Sequence, residues 1–160
     1  MHHAAKPHVG LPIGYVDPGC EARTARDVFR YGGLMARETI RTQEAPASAL
    51  YSQGVKAGSH VFVSGMVGID PSTGRLAGTT IADQTRQALA NCTAILAAGG
   101  ASLDDVVEVG VLLTNPEDFA GMNDAYSLVF PANPPARYVA KLGVVLPDIL
   151  VSIRMTAIIT

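Results

Sequence analysis

The sequence predicts an α+β fold, a single sheet with two helices packed on one of its faces. Three observations lead there. Residues 81–96 and 119–130 carry apolar side chains at helical spacing behind clear start signals. The C-terminal run alternates Val151, Ile153, Met155 and Ala157 with Ser152, Arg154 and Thr156, the period of a strand with one buried face. The elements follow one another as β-β-α-β-α-β-β, and 160 residues at 48% hydrophobic content suffice for one core.

Residues 1–39 read differently from residues 40–160. Pro7, Pro12 and Pro18 with Gly10, Gly14 and Gly19 make the first twenty residues irregular, and residues 21–37 suit a short helix broken at Gly32-Gly33. Such a stretch has no core of its own and is expected to dock on the domain or on a neighbouring subunit. Residues 51–55 and 60–64 are strand-like runs joined through Lys56-Ala57-Gly58-Ser59, a hairpin with glycine in its loop. Asp70-Pro71-Ser72-Thr73-Gly74 is a turn cluster. Thr80 caps the first helix with Asp83 three residues on, Ile81, Ala88, Leu89, Cys92, Ile95 and Leu96 form its apolar stripe, and Gly99-Gly100 ends it.

Residues 106–113 are β-rich and read as a central strand. Asn115-Pro116-Glu117-Asp118 starts the second helix with a cap, a proline in the first turn and two acids. Its stripe is Phe119, Met122, Tyr126, Val129 and Phe130, and Pro131, Pro134 and Pro135 stop it. Residues 137–142 and 150–158 complete the strands. The sheet face that carries Ser152 and Arg154 has no element of this chain to cover it.

Charge excludes several partner classes. Only 16% of residues are charged and the net charge is −2. Residues 1–45 sum to +1 and residues 46–160 to −3, so neither part is basic enough to bind nucleic acid or an anionic membrane by charge. No run of about 18 apolar residues exists to span a bilayer. Two cysteines, Cys20 and Cys92, without a CxxC pair, fit a reducing compartment, and the absence of an apolar leader points to a cytoplasmic protein. His2-His3 are given no chemistry.

The chain holds no nucleophile elbow, phosphate loop or zinc-ligand spacing, and Gly65-Met66-Val67-Gly68 lacks dinucleotide spacing. No metal and no cofactor is expected. His8 and His60 are isolated, with His60 a solvated turn residue, and Cys92 is a small core residue. Asn133-Pro134-Pro135-Ala136-Arg137 is more informative, because two prolines stiffen the chain and deliver one arginine at a strand start. Arginine suits bidentate capture of a carboxylate, and an ordinary ion pair is the competing reading at this point.

From about Ile40 to the end, roughly three quarters of the chain, the sequence resembles the RidA family (YjgF/YER057c/UK114). The stretches that carry the resemblance are Tyr51-Ser52-Gln53-Gly54, Val61-Phe62-Val63-Ser64-Gly65, Asp70-Pro71-Ser72-Thr73-Gly74, the run from Gln84 to Asn91, the run from Gly100 to Val107, Asn123-Asp124-Ala125-Tyr126 and Pro135-Ala136-Arg137. The resemblance implies a chorismate-mutase-like fold and a homotrimer, with sheets facing the trimer interior, helices outside and ligand clefts between subunits. It implies cofactor-free hydrolysis of reactive enamines and imines, such as 2-aminoacrylate, to 2-keto acids and ammonia. It assigns the carboxylate-binding arginine to Arg137 and cleft residues to Tyr51, Ser64, Gly65 and Asn123. An older endoribonuclease label in the family fits this chain poorly, since the domain has one histidine and no basic stripe.

The chain departs from the family in its last strand. That strand usually reads V-E-I-E-A, with the first Glu thought to activate water. Here Ser152 stands in its place and Arg154 replaces the second acid. A serine accepts no proton near neutral pH without a base. Tyr138 follows Arg137 where a small residue is usual, and so borders the cleft. The expected catalytic set is Arg137, Ser152 and Asn123. The expected substrate-binding set is Arg137, Tyr51, Ser64, Gly65, Tyr138 and Arg154. Arg154 would either add a second cation to the cleft or form an intersubunit ion pair with an acid such as Asp148 or Glu108. The alternative function is a non-catalytic binder of small carboxylates.

Overall fold

The computed structural model describes residues 37–160. The expected helix in residues 21–37, the docking of the N-terminal stretch, His8 and Cys20 all fall wholly or almost wholly outside them. The strands are β1 (Arg37–Ile40), β2 (Gly54–Ala57), β3 (His60–Val67), β4 (Ile69–Asp70), β5 (Arg75–Leu76), β6 (Val106–Leu113), β7 (Ala136–Lys141) and β8 (Val151–Ile158). The helices are α1 (Ile81–Ala98) and α2 (Phe119–Ser127). Six strands form one sheet in the order β1-β2-β3-β8-β6-β7, and β4 with β5 makes a small separate ribbon around the expected turn cluster. Every neighbour pair in the large sheet is antiparallel except β6–β7, which is parallel and joined through α2.

The α+β class stands, and several details differ from the sequence reading. β1 was not expected. It pairs Arg37 to Ile40 with Ala57 to Gly54, and only Ile40 is buried, so it has no apolar alternation to reveal it. The strand expected over 51–55 begins at Gly54, because Gln53 turns its side chain inward to hold the preceding loop. α2 is preceded by a 3-10 turn over Pro116–Asp118, capped by the Asn115 side chain accepting from Glu117 N at 3.1 Å. The helix stops at Ser127. Val129 and Phe130 continue as a turn, both donating to the Tyr126 carbonyl, and Phe130 still reaches the core.

α1 begins as expected, with Thr80 Oγ1 accepting from Asp83 N. It lays Ala88, Leu89, Cys92, Ile95 and Leu96 on the sheet face that presents Val61, Val63, Met66, Ile153 and Met155. Each large aliphatic buried there contributes about 1.5–3 kcal/mol. Gly68 permits this close seating, since a Cβ on it would lie 2.6 Å from the Gln84 backbone. Cys92 is fully buried with its thiol donating to the Ile153 carbonyl, and burial pushes its pKa strongly up. It is a core residue, as expected. His60 is exposed and stacks on Phe62.

Three buried amides organise the loops. Gln53 Nε2 donates to the carbonyls of Thr42, Ala45 and Pro46, and its Oε1 accepts from Thr42 N. Gln84 bridges α1 to the segment entering β8, donating to Asp148 O at 2.8 Å and accepting from Leu150 N at 2.9 Å. Asn91 donates to the Val67 and Ile69 carbonyls. Gln84 and Asn91 interrupt the apolar stripe of α1, which is the sequence mark of such buried amides.

The second sheet face carries Phe62, Gly110, Ser152, Arg154, Thr156 and Tyr138, with Phe62, Arg154 and Tyr138 exposed. Among the described residues no helix covers it.

Candidate functional site

Register decides which candidate residues can meet. Side chains of neighbouring strands at paired positions share a face, and successive residues on one strand alternate. Arg137 pairs with Val109, which is fully buried on the helix side. Arg137 therefore leans toward α2. Its guanidinium carbon sits 4.6 Å from the centroid of the Tyr126 ring. Tyr126 is 6% exposed, tilts against Phe130 at 4.9 Å, and leaves its hydroxyl without a partner among the described residues. Burial raises the Tyr126 pKa, and the Arg137 charge opposes that rise.

Asn123 lies one turn earlier on α2, and its Oδ1 is also buried and unpartnered among the described residues. Such an orphan acceptor costs about 1–3 kcal/mol until something satisfies it. Among the described residues no carboxylate lies within ion-pair distance of Arg137, so the ordinary ion-pair reading finds no support there. Arg137 and Tyr126 thus meet at the β7–α2 edge, and Asn123 lies one turn away on the same face of α2. Sequence reasoning placed Tyr126 in the core stripe and missed its contact with Arg137.

The remaining candidates on strands lie on the opposite face, and Tyr51 lies in the loop before β2. A bulge in β3 between Val63 and Met66 turns out Ser64 and Gly65. Ser64 Oγ donates to Ser52 O at 2.6 Å, and Ser64 N donates to Gln53 O at 2.9 Å, which ties the bulge to the loop bearing Tyr51. Tyr51 itself is exposed and borders an open hollow of about 880 Å³ shared with Arg37, Arg41, Leu50 and Ser52. Ser152 sits beside Gly65, where an added Cβ would come within 2.9 Å of the serine hydroxyl.

Tyr138 lies across Gly110 on this same face, with its ring where a Gly110 Cβ would stand. It therefore points away from Arg137. Arg154 pairs across the strands with Gly110. Its Nη2 is 3.9 Å from Glu108 Oε2 of the same chain and donates to Thr156 Oγ1 at 3.4 Å. Both side chains of this pair are half exposed, which limits its worth to well under 1 kcal/mol. The acid is thus one of the two anticipated, but it is reached within one chain.

In one copy of the chain, then, the sheet separates Arg137 from Ser64, Gly65 and Ser152. Among the described residues no cluster of His, Cys, Asp or Glu has the makings of a metal site. No helix there is long and apolar enough to cross a membrane.

Comparison with known proteins agrees with this architecture. The family model described as Endoribonuclease L-PSP matches residues 42–159. A RutC family protein of Pyrococcus horikoshii is 43% identical over 122 residues, covering 76% of this chain and 97% of that protein. The 2-iminobutanoate/2-iminopropanoate deaminase of Rattus norvegicus is 41% identical over 102 residues, covering 63% of this chain and 74% of the deaminase. Among solved structures, E. coli TdcF with bound serine aligns with a TM-score of 0.72 at 35% identity, covering 77% of this chain and 99% of TdcF. RidA from an Antarctic Psychrobacter aligns with a TM-score of 0.72 at 36% identity, covering 76% of this chain and 98% of that one. A match across nearly the whole described domain, together with these relatives and this fold, places the chain in the Endoribonuclease L-PSP family, the family of RidA.

Proposed function

We propose that the chain hydrolyses reactive 2-imino acids and their enamine tautomers to 2-keto acids and ammonia. The observation that carries this reading is Arg137, a guanidinium lying on a buried aromatic ring with no acid beside it among the described residues. Its edges can take a substrate carboxylate in bidentate fashion. Deaminases acting on 2-iminobutanoate and 2-iminopropanoate, at about 40% identity, support the substrate class.

The active cleft lies between two copies of the chain in a closed homotrimer. One copy supplies Arg137 and Asn123. The next supplies Ser64, Gly65 and Ser152 from its open sheet face and Tyr51 from the loop before β2. The register supports this arrangement, since Arg137 and Ser152 lie on opposite faces of a single sheet.

With the carboxylate held on Arg137, the imine carbon is the electrophile. Water adds to it, one water proton passes to the nitrogen, and the tetrahedral carbinolamine loses ammonia to leave the keto group. Asn123 Oδ1, an acceptor without a partner among the described residues, is suited to an imine or amine N–H. Ser152 can hold the water but cannot deprotonate it. The substrate nitrogen takes the proton, and placement contributes most of the rate. Tyr138 and Arg154 border the cleft from the open face.

A second reading, a carboxylate binder without turnover, is favoured by Ser152 alone. The deciding experiment follows ammonia and keto-acid release from freshly generated imines of several amino acids, with Arg137→Ala as control. Release above the uncatalysed rate that disappears in the variant supports the deaminase. Saturable binding of 2-keto acids without release supports the binder.

A further inference from the structure

We infer that Tyr126 is the positioning residue of the carboxylate site, its buried ring serving as the platform that holds the Arg137 fork with its N–H edges turned outward. This rests on the deaminase reading and gives the ring beneath Arg137 a role that the reading leaves unassigned. Tyr126 is almost wholly inside the protein, while Arg137 on the edge strand is exposed. An exposed arginine on a flexible stem samples many rotamers, and holding it in one geometry costs entropy at the moment of binding.

The ring reduces that cost. The guanidinium carbon lies over the aromatic ring at 4.6 Å from its centroid, and a weakly hydrated guanidinium laid flat on such a ring keeps every in-plane donor available. An acid partner would also fix the side chain, but it would occupy those donors. Phe130 packs tilted against the same ring, with centroids 4.9 Å apart. Tyr126 and Asn123 lie three residues apart on α2, so the platform and the orphan Asn123 Oδ1 share one helix face. The distance from the arginine fork to the imine-nitrogen acceptor is therefore set by one rigid helix rather than by a loop.

The test compares Tyr126→Phe, which keeps the ring, with Tyr126→Met, which keeps apolar volume and loses it. Imine hydrolysis kinetics and calorimetric binding of 2-oxobutanoate are read at a temperature where melting curves show both variants folded. Tyr126→Met is expected to raise KM and Kd about tenfold with kcat within about threefold, because a carboxylate anchor binds ground state and transition state alike. Tyr126→Phe is expected to stay within about threefold of the unmodified protein in all three. A residue that merely fills the core would change melting and leave the affinity of the folded protein alone.

Tyr126→Met binding like the unmodified protein while Arg137→Ala does not would overturn the platform and leave the deaminase standing. If Arg137→Ala also binds and turns over normally, the carboxylate site itself is wrong and the platform falls with it. Should Tyr126→Met fail to fold, the Arg137 Nε–H resonance in labelled unmodified protein decides. A ring-shifted, exchange-slowed signal supports the stack, and a signal like that of a free exposed arginine overturns it.

Discussion

Ser152 presents a hydroxyl beside Gly65 at the position where the family resemblance puts a water-activating glutamate. Gly65 has no side chain, so a longer residue at 152 has a path past the bulge. Ser152→Glu is therefore expected to raise kcat/KM for imine hydrolysis at least about tenfold, the low end of what a placed general base contributes. Arg154, two residues along the same face, will attract the new carboxylate and lower its pKa, which weakens it as a base. A larger gain is therefore expected in Ser152→Glu/Arg154→Glu, measured by the same ammonia assay. No gain in either would argue that this cleft has another task. At Arg137 the fork matters more than the charge. Arg137→Lys should raise the Kd for 2-oxobutanoate about tenfold, nearly as much as Arg137→Ala, because a lysine neither binds bidentately nor lies flat on the Tyr126 ring. An unchanged affinity would make Arg137 a structural residue.

Among elements, the segment entering β8 depends on α1 through one side chain. Gln84 closes both the Asp148 carbonyl and the Leu150 amide, inside the protein and next to the strand that bears Ser152. Gln84→Leu keeps similar bulk but strands both backbone groups, at about 2–4 kcal/mol in sum. Chemical denaturation should show that loss, and kcat should fall more than KM rises if the shift reaches Ser152. The same contrast explains what could be read in advance. α1 and β8 were legible because apolar residues repeat along them with period 3.6 or 2, and β6 because its residues are β-rich. β1 was not, since one buried Ile40 makes no pattern. The parallel β6–β7 pair joins residues nearly thirty apart, which no local signal encodes. Arg137 was visible from its prolines and its family position. Its seat on Tyr126 was not, because that contact exists only once α2 crosses β7.

For the whole molecule, the division of candidate residues between two sheet faces has a consequence that a self-contained site would lack. In one chain Arg137 and the Ser64, Gly65 and Ser152 group lie on opposite sheet faces, so the proposed cleft requires a neighbouring copy. The open face bears Phe62 and Tyr138, exposed aromatics suited to burial in a closed cyclic assembly. Light scattering at micromolar concentration is expected to report a trimer, and a monomer would remove the shared cleft. A sharper test is complementation. Arg137→Ala disables one side of every cleft, and a bulky Gly65→Trp disables the other. Each variant alone should be inactive. Unfolded together in equal amounts and refolded as mixed rings, the two populate clefts at random. About a quarter of those clefts then draw an intact Arg137 from one copy and an intact Gly65 from the next. Activity returning to about a quarter of the unmodified rate is the expected result. A site wholly within one chain would stay dead at any mixing ratio, because each chain would carry its own lesion into its own cleft.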